Sequence, residues 1–220
     1  MNRSLYLAVF LLLFSCKENN TSPTTLSSKE DSISEVKDAD SLPEPLKELK
    51  DIEDIRKEHA YLTSKIENGR MDSLSFNYNC REEIQGKVTY YSEKGQLRVI
   101  KHRYNEYSHF SATDTYFLKD GKPFFVLQDQ LSWSFVDAEQ TKDDITEKRV
   151  YIIDNQPVHC LQKKFSVLSG AVDPPQSDKV SNEKIACGSL QPLFDDLEVL
   201  YVHRSQKHDN GCLEAEGEAF

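Results

Sequence analysis

The chain lacks the short patterns that announce common chemistries. It has no C-x-x-C, H-E-x-x-H or G-x-S-x-G, no phosphate-binding glycine loop and no Ca²⁺ loop. Zinc, dithiol redox, serine-hydrolase, nucleotide and calcium sites therefore have no local signature here. Only 8 of 220 residues are glycine, too few and too scattered for a nucleotide cradle. Clustered lysine and arginine are also absent from a chain of formal charge -10. That balance excludes nucleic acid as a partner and disfavours anionic lipid headgroups, since both require basic patches. No apolar run approaches the roughly 20 residues that cross a bilayer.

The longest apolar run, Leu5 to Phe14, instead follows a basic start at Arg3 and ends at Ser15 and Cys16. A positive n-region, a short apolar h-region and small residues at the end are the layout of a signal peptide. Leu13-Phe14-Ser15-Cys16 resembles the lipobox of bacterial lipoproteins, with Phe14 bulkier than the usual small residue. The resemblance implies cleavage of residues 1–15, lipidation of Cys16 and a membrane anchor of acyl chains at the bacterial outer membrane. Cleavage removes Arg3 and no acid, leaving 26 basic against 37 acidic side chains, a charge of -11. The acyl chains then hold the membrane without electrostatic help, which takes more than one chain.

Residues 16–40 read as a flexible acylated tether, because Leu26, Ile33 and Val36 are too few apolar residues to offset the entropy of ordering it. Lys17-Glu18 is similar to the Lys-plus-acid signal that exports some Bacteroidetes-type outer-membrane lipoproteins to the cell surface. Asp31-Ser32-Ile33, Asp40-Ser41-Leu42 and Asp72-Ser73-Leu74 resemble the O-glycosylation sequon of the same bacteria, making Ser32, Ser41 and Ser73 candidate modification sites.

Residues 41–220 fit one α+β domain. From Ser41 to Asn68 the apolar residues Leu46, Leu49, Ile52, Ile55, Leu62 and Ile66 recur mostly at three- and four-residue steps. This predicts an amphipathic helix, with Ser41 and Glu44 as a capping box and Asn68-Gly69 as its stop. Pro43 and Pro45 fit only in a first turn, which moves the start toward Glu44. The helix is expected to cover the sheet of its own domain, or to dock a partner.

The period then changes to two. Tyr90-Tyr91-Ser92-Glu93-Lys94-Gly95 to Ile100 aligns without gaps on Tyr116-Phe117-Leu118-Lys119-Asp120-Gly121 to Val126, and more loosely on Tyr151 to Leu161. Each copy reads as a β-hairpin with a three- to five-residue loop. About seven strands of an antiparallel meander follow from the pattern, with a C-terminal helical segment between Asn182 and Arg204. The aromatic-turn-glycine-aliphatic unit resembles MORN-type repeats over residues 90–161, a likeness that transfers no functional residues.

Leu131, Trp133 and Phe135 alternate with Ser132 and Ser134, which predicts one apolar face. Tyr91, Arg98, Thr113, Thr115, Ser132 and Tyr151 are placed opposite, and Tyr91, Arg98 and Tyr151 become a candidate ligand face for glycan or peptide. Ordinary β-propensity explains the same enrichment. Four cysteines remain after Cys16. An even count outside the cytoplasm favours disulfides, with Cys160–Cys187 the candidate pair and free thiols the alternative.

No catalytic residue, metal ligand or cofactor is predicted. His159 and Cys160 point to opposite faces of a strand and cannot act as a nucleophilic pair. His102 and His109 read as part of a strand connection. Glu82-Glu83, Asp143-Asp144 and Asp195-Asp196 read as solvated acids. Asp129 falls in phase with Phe125, Leu127, Leu131 and Trp133; a bulge near Gln128 is expected to turn it outward, the alternative being a buried acid in a pocket. The reading is an anchored lipoprotein with a noncatalytic role, binding an envelope protein, glycan or lipid-like ligand or serving as an accessory subunit of an envelope assembly. The alternatives are a hydrolase acting through scattered acids, or a hydrolase inhibitor presenting Asp137 to Glu147 as a protruding loop.

Overall fold

The computed structural model describes residues 44–204 and 211–213, so Cys16, Ser32 and Ser41 lie outside the described residues. Those residues form helix α1 (Ile52–Glu67), strands β1 (Asp72–Cys80), β2 (Ile84–Glu93), β3 (Gln96–Glu106), β4 (Phe110–Lys119), β5 (Lys122–Phe135), β6 (Thr141–Ile153) and β7 (Gln156–Leu168), the short β8 (Glu183–Lys184) and helix α2 (Gln191–His203). The class is α+β. All eight strands form one antiparallel sheet in chain order. The eighth strand, two residues of polar sequence, is too short to leave a period-two signal. β6 is also longer than expected: residues 141–147 belong to it, so the connection before it spans only 136–140 and no Asp137 to Glu147 loop protrudes.

Helix α1 begins eight residues after Glu44. Asp51 caps it, accepting the Asp54 N–H at 2.9 Å, while Leu46 N–H donates to Glu58 Oε2 at 2.8 Å and holds the preceding stretch outside the helix. Two prolines two residues apart explain the late start, because each removes a donor and biases its predecessor away from helix. Ile55, Tyr61 and Leu62 pack with Val99, Phe117, Phe124, Phe125 and Tyr151 into one core. Truncating Leu62, fully buried there, to alanine carries a cost of about 2–5 kcal/mol.

Three hairpins share one design. Their loops are two residues long, Lys94-Gly95, Asp120-Gly121 and Asp154-Asn155, all with positive φ between 50° and 79°. Two successive left-handed residues make the turn whose twist matches paired strands, which is why it closes in two residues rather than three to five. Each strand entering such a turn shifts register three residues before it, at Tyr91/Ser92, Phe117/Leu118 and Tyr151/Ile152. Aligned on the turns, Tyr90 and Tyr116 therefore match Val150, not Tyr151. All three are at most 1 % exposed in the second core, on the opposite face of the sheet, under α2.

That second core contains Tyr90, Ile100, Tyr116, Leu118, Val126, Val150 and Ile152 with Leu193, Leu197 and Leu200 of α2. The chain reaches it by wrapping the sheet edge. Ser177 accepts from Lys163 at 2.7 Å, β8 pairs with Leu161 and Gln162, and Ile185 N–H donates to Cys160 O at 3.0 Å. A disulfide joins Cys160 to Cys187 just before α2, and a second joins Cys80 to Cys212 after it, with Cα separations of 5.2 and 4.4 Å. The Tyr90 hydroxyl donates to Leu200 O at 2.7 Å, and Tyr201 donates to Gly121 O at 2.8 Å, fixing the last turns of α2.

Candidate functional site

Alternation along β1, β3 and β4 brings Tyr78, His102, Tyr104, Glu106 and Asp114 to the α2 side of the sheet, where Asp196, Val199 and Leu200 of α2 and the Cys80–Cys212 disulfide face them. Together with Ile84 and Leu213 these residues line a half-open cavity of about 260 Å³. The wall is aromatic: the His102 and Tyr104 rings stack at 4.6 Å and 23°, and Tyr78 lies 5.7 Å from His102. Tyr78 and His102 also share a hydrogen bond of 2.9 Å between the hydroxyl and Nε2. Gly86 makes this arrangement possible, because a Cβ there would lie 2.4 Å from the Tyr78 ring.

The electrostatics of the cavity are unbalanced. None of its described lining residues is lysine or arginine, while three are acids. Asp114 is 4 % exposed and accepts a 3.1 Å hydrogen bond from the Gln128 amide. Burial pushes its carboxyl up to about 6, and the charge of Asp196 adds to that, against the pull of the Gln128 and Tyr104 hydrogen bonds. Burial raises Asp196 as well, with Asp195 beside it contributing. Burial also drives His102 down to about 4, so its imidazole is neutral at pH 7 and supplies no counter-charge. Tyr78 is pushed up to about 12 by burial and by Glu106, and Tyr104 rises by burial and then by Asp114. Tyr116, two residues along β4 from Asp114, is 1 % exposed, and its hydroxyl has no hydrogen-bond partner among the described residues. Such a group costs about 1–3 kcal/mol.

The residues singled out by sequence lie elsewhere. Arg98 is 7 % exposed and ion-paired with Glu58 and Glu93 beneath α1, and Tyr151 is buried against Phe125, so with the half-buried Tyr91 they form no open ligand face. Thr113 and Thr115 share the face of Asp129, Leu127 and Phe117 rather than opposing the Leu131 side, because one row of the register runs Thr113, Asp129, Glu147, Lys163. Ser73, in β1, is exposed. No register shift occurs near Gln128, so Asp129 is not turned outward. It stays half-buried, raised by burial and by Glu147, and Arg149, Lys101 and Lys163 counter it there. Cys160 and His159 separate as expected for neighbours on a strand: Cys160 joins the α2 core, while His159 faces Tyr151.

His102, in contrast, sits in the middle of β3 and not in a connection. Both acids of the Asp195-Asp196 doublet are exposed, as read from the sequence, and Asp196 in addition borders the cavity. The signal for Asp114 was present in the sequence. It is in phase with Ala112 and Tyr116 of an aromatic strand, the same anomaly that drew attention to Asp129. Among the described residues no three His, Cys, Asp or Glu side chains converge to hold a metal ion, and no helix is long and apolar enough to cross a membrane. No protein family, curated protein or solved structure matches this chain.

Proposed function

We propose that this chain is a lipid-anchored lipoprotein of a bacterial outer membrane, and that its domain binds an envelope glycan without transforming it. In this reading Cys16 carries the acyl chains and residues 17–40 form the stalk. The observation supporting a binding role is the cavity under α2, where an aromatic wall meets the buried carboxylate of Asp114 and the more exposed acids Glu106 and Asp196, with no lysine or arginine among the described lining residues. Apolar pockets with a few convergent polar groups are the usual form of small-ligand sites. A volume of about 260 Å³ suits one sugar-sized group.

Two measurements test it. Cys16→Ala is expected to abolish metabolic labelling by fatty acid and to move the protein out of the membrane fraction; retention there refutes the anchor. Adding envelope glycan fragments to the full chain in detergent is expected to shift the NMR signals of His102, Tyr78 and Tyr104, while His109 stays unchanged. Fragments that shift none of them refute the binding site. The second reading, a hydrolase, is favoured by one observation: burial keeps Asp114 protonated up to a pH of about 6, beside a second acid, the arrangement a general acid needs in mildly acidic conditions. Cleavage of those fragments that disappears in both Asp114→Asn and Asp196→Asn would establish it.

A further inference from the structure

We infer that the cavity under α2 is built for an amino sugar whose amine is free and protonated, held by the carboxylates of Asp114 and Asp196 with its ring against His102 and Tyr104. The inference rests on the reading of this cavity as a binding site, and it specifies the ligand.

Charge is the first argument. Asp114, Asp196 and Glu106 line one small space with no lysine or arginine among the described lining residues, and His102 is neutral. A buried carboxylate is normally paired, because an unpaired one loses its hydration without return. The fixed partners of Asp114 are neutral donors, the Gln128 amide and the Tyr104 hydroxyl. A cation entering the cavity would relieve the repulsion between Asp114 and Asp196. Ring faces reinforce the preference, since an ammonium near an aromatic face is attracted to its electron-rich surface. Tyr78, His102 and Tyr104 make a continuous wall of such rings.

Hydrogen-bond supply separates an amino sugar from a simple amine. An ammonium has three donors and no acceptor. The cavity offers three carboxylates, each with two acceptor oxygens. These acceptors exceed what one ammonium can fill. A ligand with hydroxyls next to its amine uses them, and its ring packs against the aromatic wall of Tyr78, His102 and Tyr104.

The dependence on pH follows from the groups facing Asp114. These are Tyr78 of β1, His102, Tyr104 and Glu106 of β3, Tyr116 of β4, Gln128 of β5 and Asp196 of α2, with Asp129 acting at longer range. None of them is cationic at pH 7. Binding therefore strengthens as Asp114 ionises, about tenfold between pH 5 and 7 for a carboxyl titrating near 6.

The test is a titration of the full chain in detergent with glucosamine, N-acetylglucosamine and Nα-acetyl-lysine amide, followed by the His102 and Tyr104 NMR signals at pH 5 and 7. Glucosamine is expected to bind at least tenfold more tightly than its N-acetyl form and to lose about tenfold from pH 7 to pH 5. Asp114→Asn, which keeps the shape of the side chain, is expected to remove both the preference and the pH dependence. Equal binding of the two sugars overturns the charge inference while leaving a sugar-binding cavity. Tighter binding of the lysine derivative overturns it in favour of a protein ligand. Binding of none of the three removes the inference, and failure of the wider fragment set then removes the binding site itself. Lys207→Gln is the last control, since Lys207 is the Lys or Arg nearest in sequence to Cys212. Unchanged affinity is expected; a tenfold gain would mean that the chain's own lysine is the occupant, and would overturn the proposal.

Discussion

Arg98 and Glu58 form an ion pair beneath α1, yet removing one should cost more than removing the other. Glu58 is 0 % exposed; apart from Arg98 its partners among the described residues are the Leu46 N–H at 2.8 Å and Lys119 Nζ at 3.7 Å. Arg98 is better supplied, because it also holds Glu93 at 3.2 Å and donates to Leu118 O at 3.2 Å. Arg98→Met therefore leaves a fully buried carboxylate with only the Leu46 N–H and the longer Lys119 contact, a change toward the lower end of the about 3–5 kcal/mol that breaking a buried pair costs. Glu58→Met leaves a guanidinium that still has a carboxylate and a carbonyl, so its cost is the loss of charged hydrogen bonds, about 1.5–3 kcal/mol. Glu93 is no orphan in Arg98→Met, since Lys65 stays bound to it at 2.7 Å. Replacing both residues with methionine removes the under-paired carboxylate and is expected to be less destabilising than Arg98→Met alone. Urea unfolding of the three variants at pH 7, read by circular dichroism, measures the order. A larger cost for Glu58→Met than for Arg98→Met, or a double variant whose loss equals the sum of the singles, would refute this account of the network.

The acid under α2 has a stability signature. The folded pKa of Asp114 lies above its ordinary value, so the folded state holds the proton more tightly and stability drains as pH rises through about 6. Asp114→Asn is then expected to match the parent at pH 4 and to exceed it by about 1–3 kcal/mol at pH 7.5 in paired urea curves; equal stability at both pH values contradicts it. His102 acts in the opposite sense. Its folded pKa is depressed to about 4, so stability falls as pH drops from 6.5 toward 4, and His102→Gln should flatten that acid limb while Asp114 continues to titrate. Gly86→Ala must displace the Tyr78 ring, with a cost of about 1–3 kcal/mol and loss of the Tyr78–His102 hydrogen bond; an unchanged His102 imidazole titration would show that the ring does not move. Cys160→Ala with Cys187→Ala opens a link across 27 residues and is expected to lower stability by about 3 kcal/mol, a loss that thermal unfolding under non-reducing conditions would read.

Alternation and turn chemistry made the meander legible before any coordinates. Two features escaped for physical reasons. Each register shift at Tyr91/Ser92, Phe117/Leu118 and Tyr151/Ile152 adds a residue to one strand, so a period of two counted through it assigns the wrong face. That is how Arg98 came to look like a surface residue when it lies under a helix. The start of α1 escaped because apolar spacing continues through Leu46 and Leu49, while the backbone there is committed to Glu58, a contact made from within the helix itself. The cavity was harder still. Tyr78, Asp114 and Asp196 are far apart in sequence, and only pairing of β1 to β4 in order, followed by the return of α2, brings them together.

The two helices are held to the sheet by different means, and the difference bears on the cavity. Helix α1 lies on a dense aromatic core with Phe117, Phe125 and Tyr151, and Glu58 and Arg98 complete its polar contacts. No disulfide ties α1 down among the described residues. Helix α2 covers a face that includes a hollow, an unpartnered Tyr116 hydroxyl and carboxylates held against their charge. Leu193, Leu197 and Leu200 pack α2 onto the sheet, while beside the cavity packing adds little to the hold on the helix. It is retained covalently: one disulfide precedes α2 and fixes the chain to β7, and the other follows it and fixes the chain to the end of β1. In the chain-entropy account each link contributes about 3–5 kcal/mol, enough to offset one unsatisfied hydroxyl and one strained acid. A fold selected only for stability would fill this hollow, as the α1 side is filled. Reduction of both disulfides should accordingly loosen α2 before α1, and hydrogen exchange under a reductant would show amides of 191–203 losing protection while those of 52–67 keep theirs. Simultaneous loss in both helices would mean that the disulfides stabilise the whole sheet and that the cavity places no special demand on its lid.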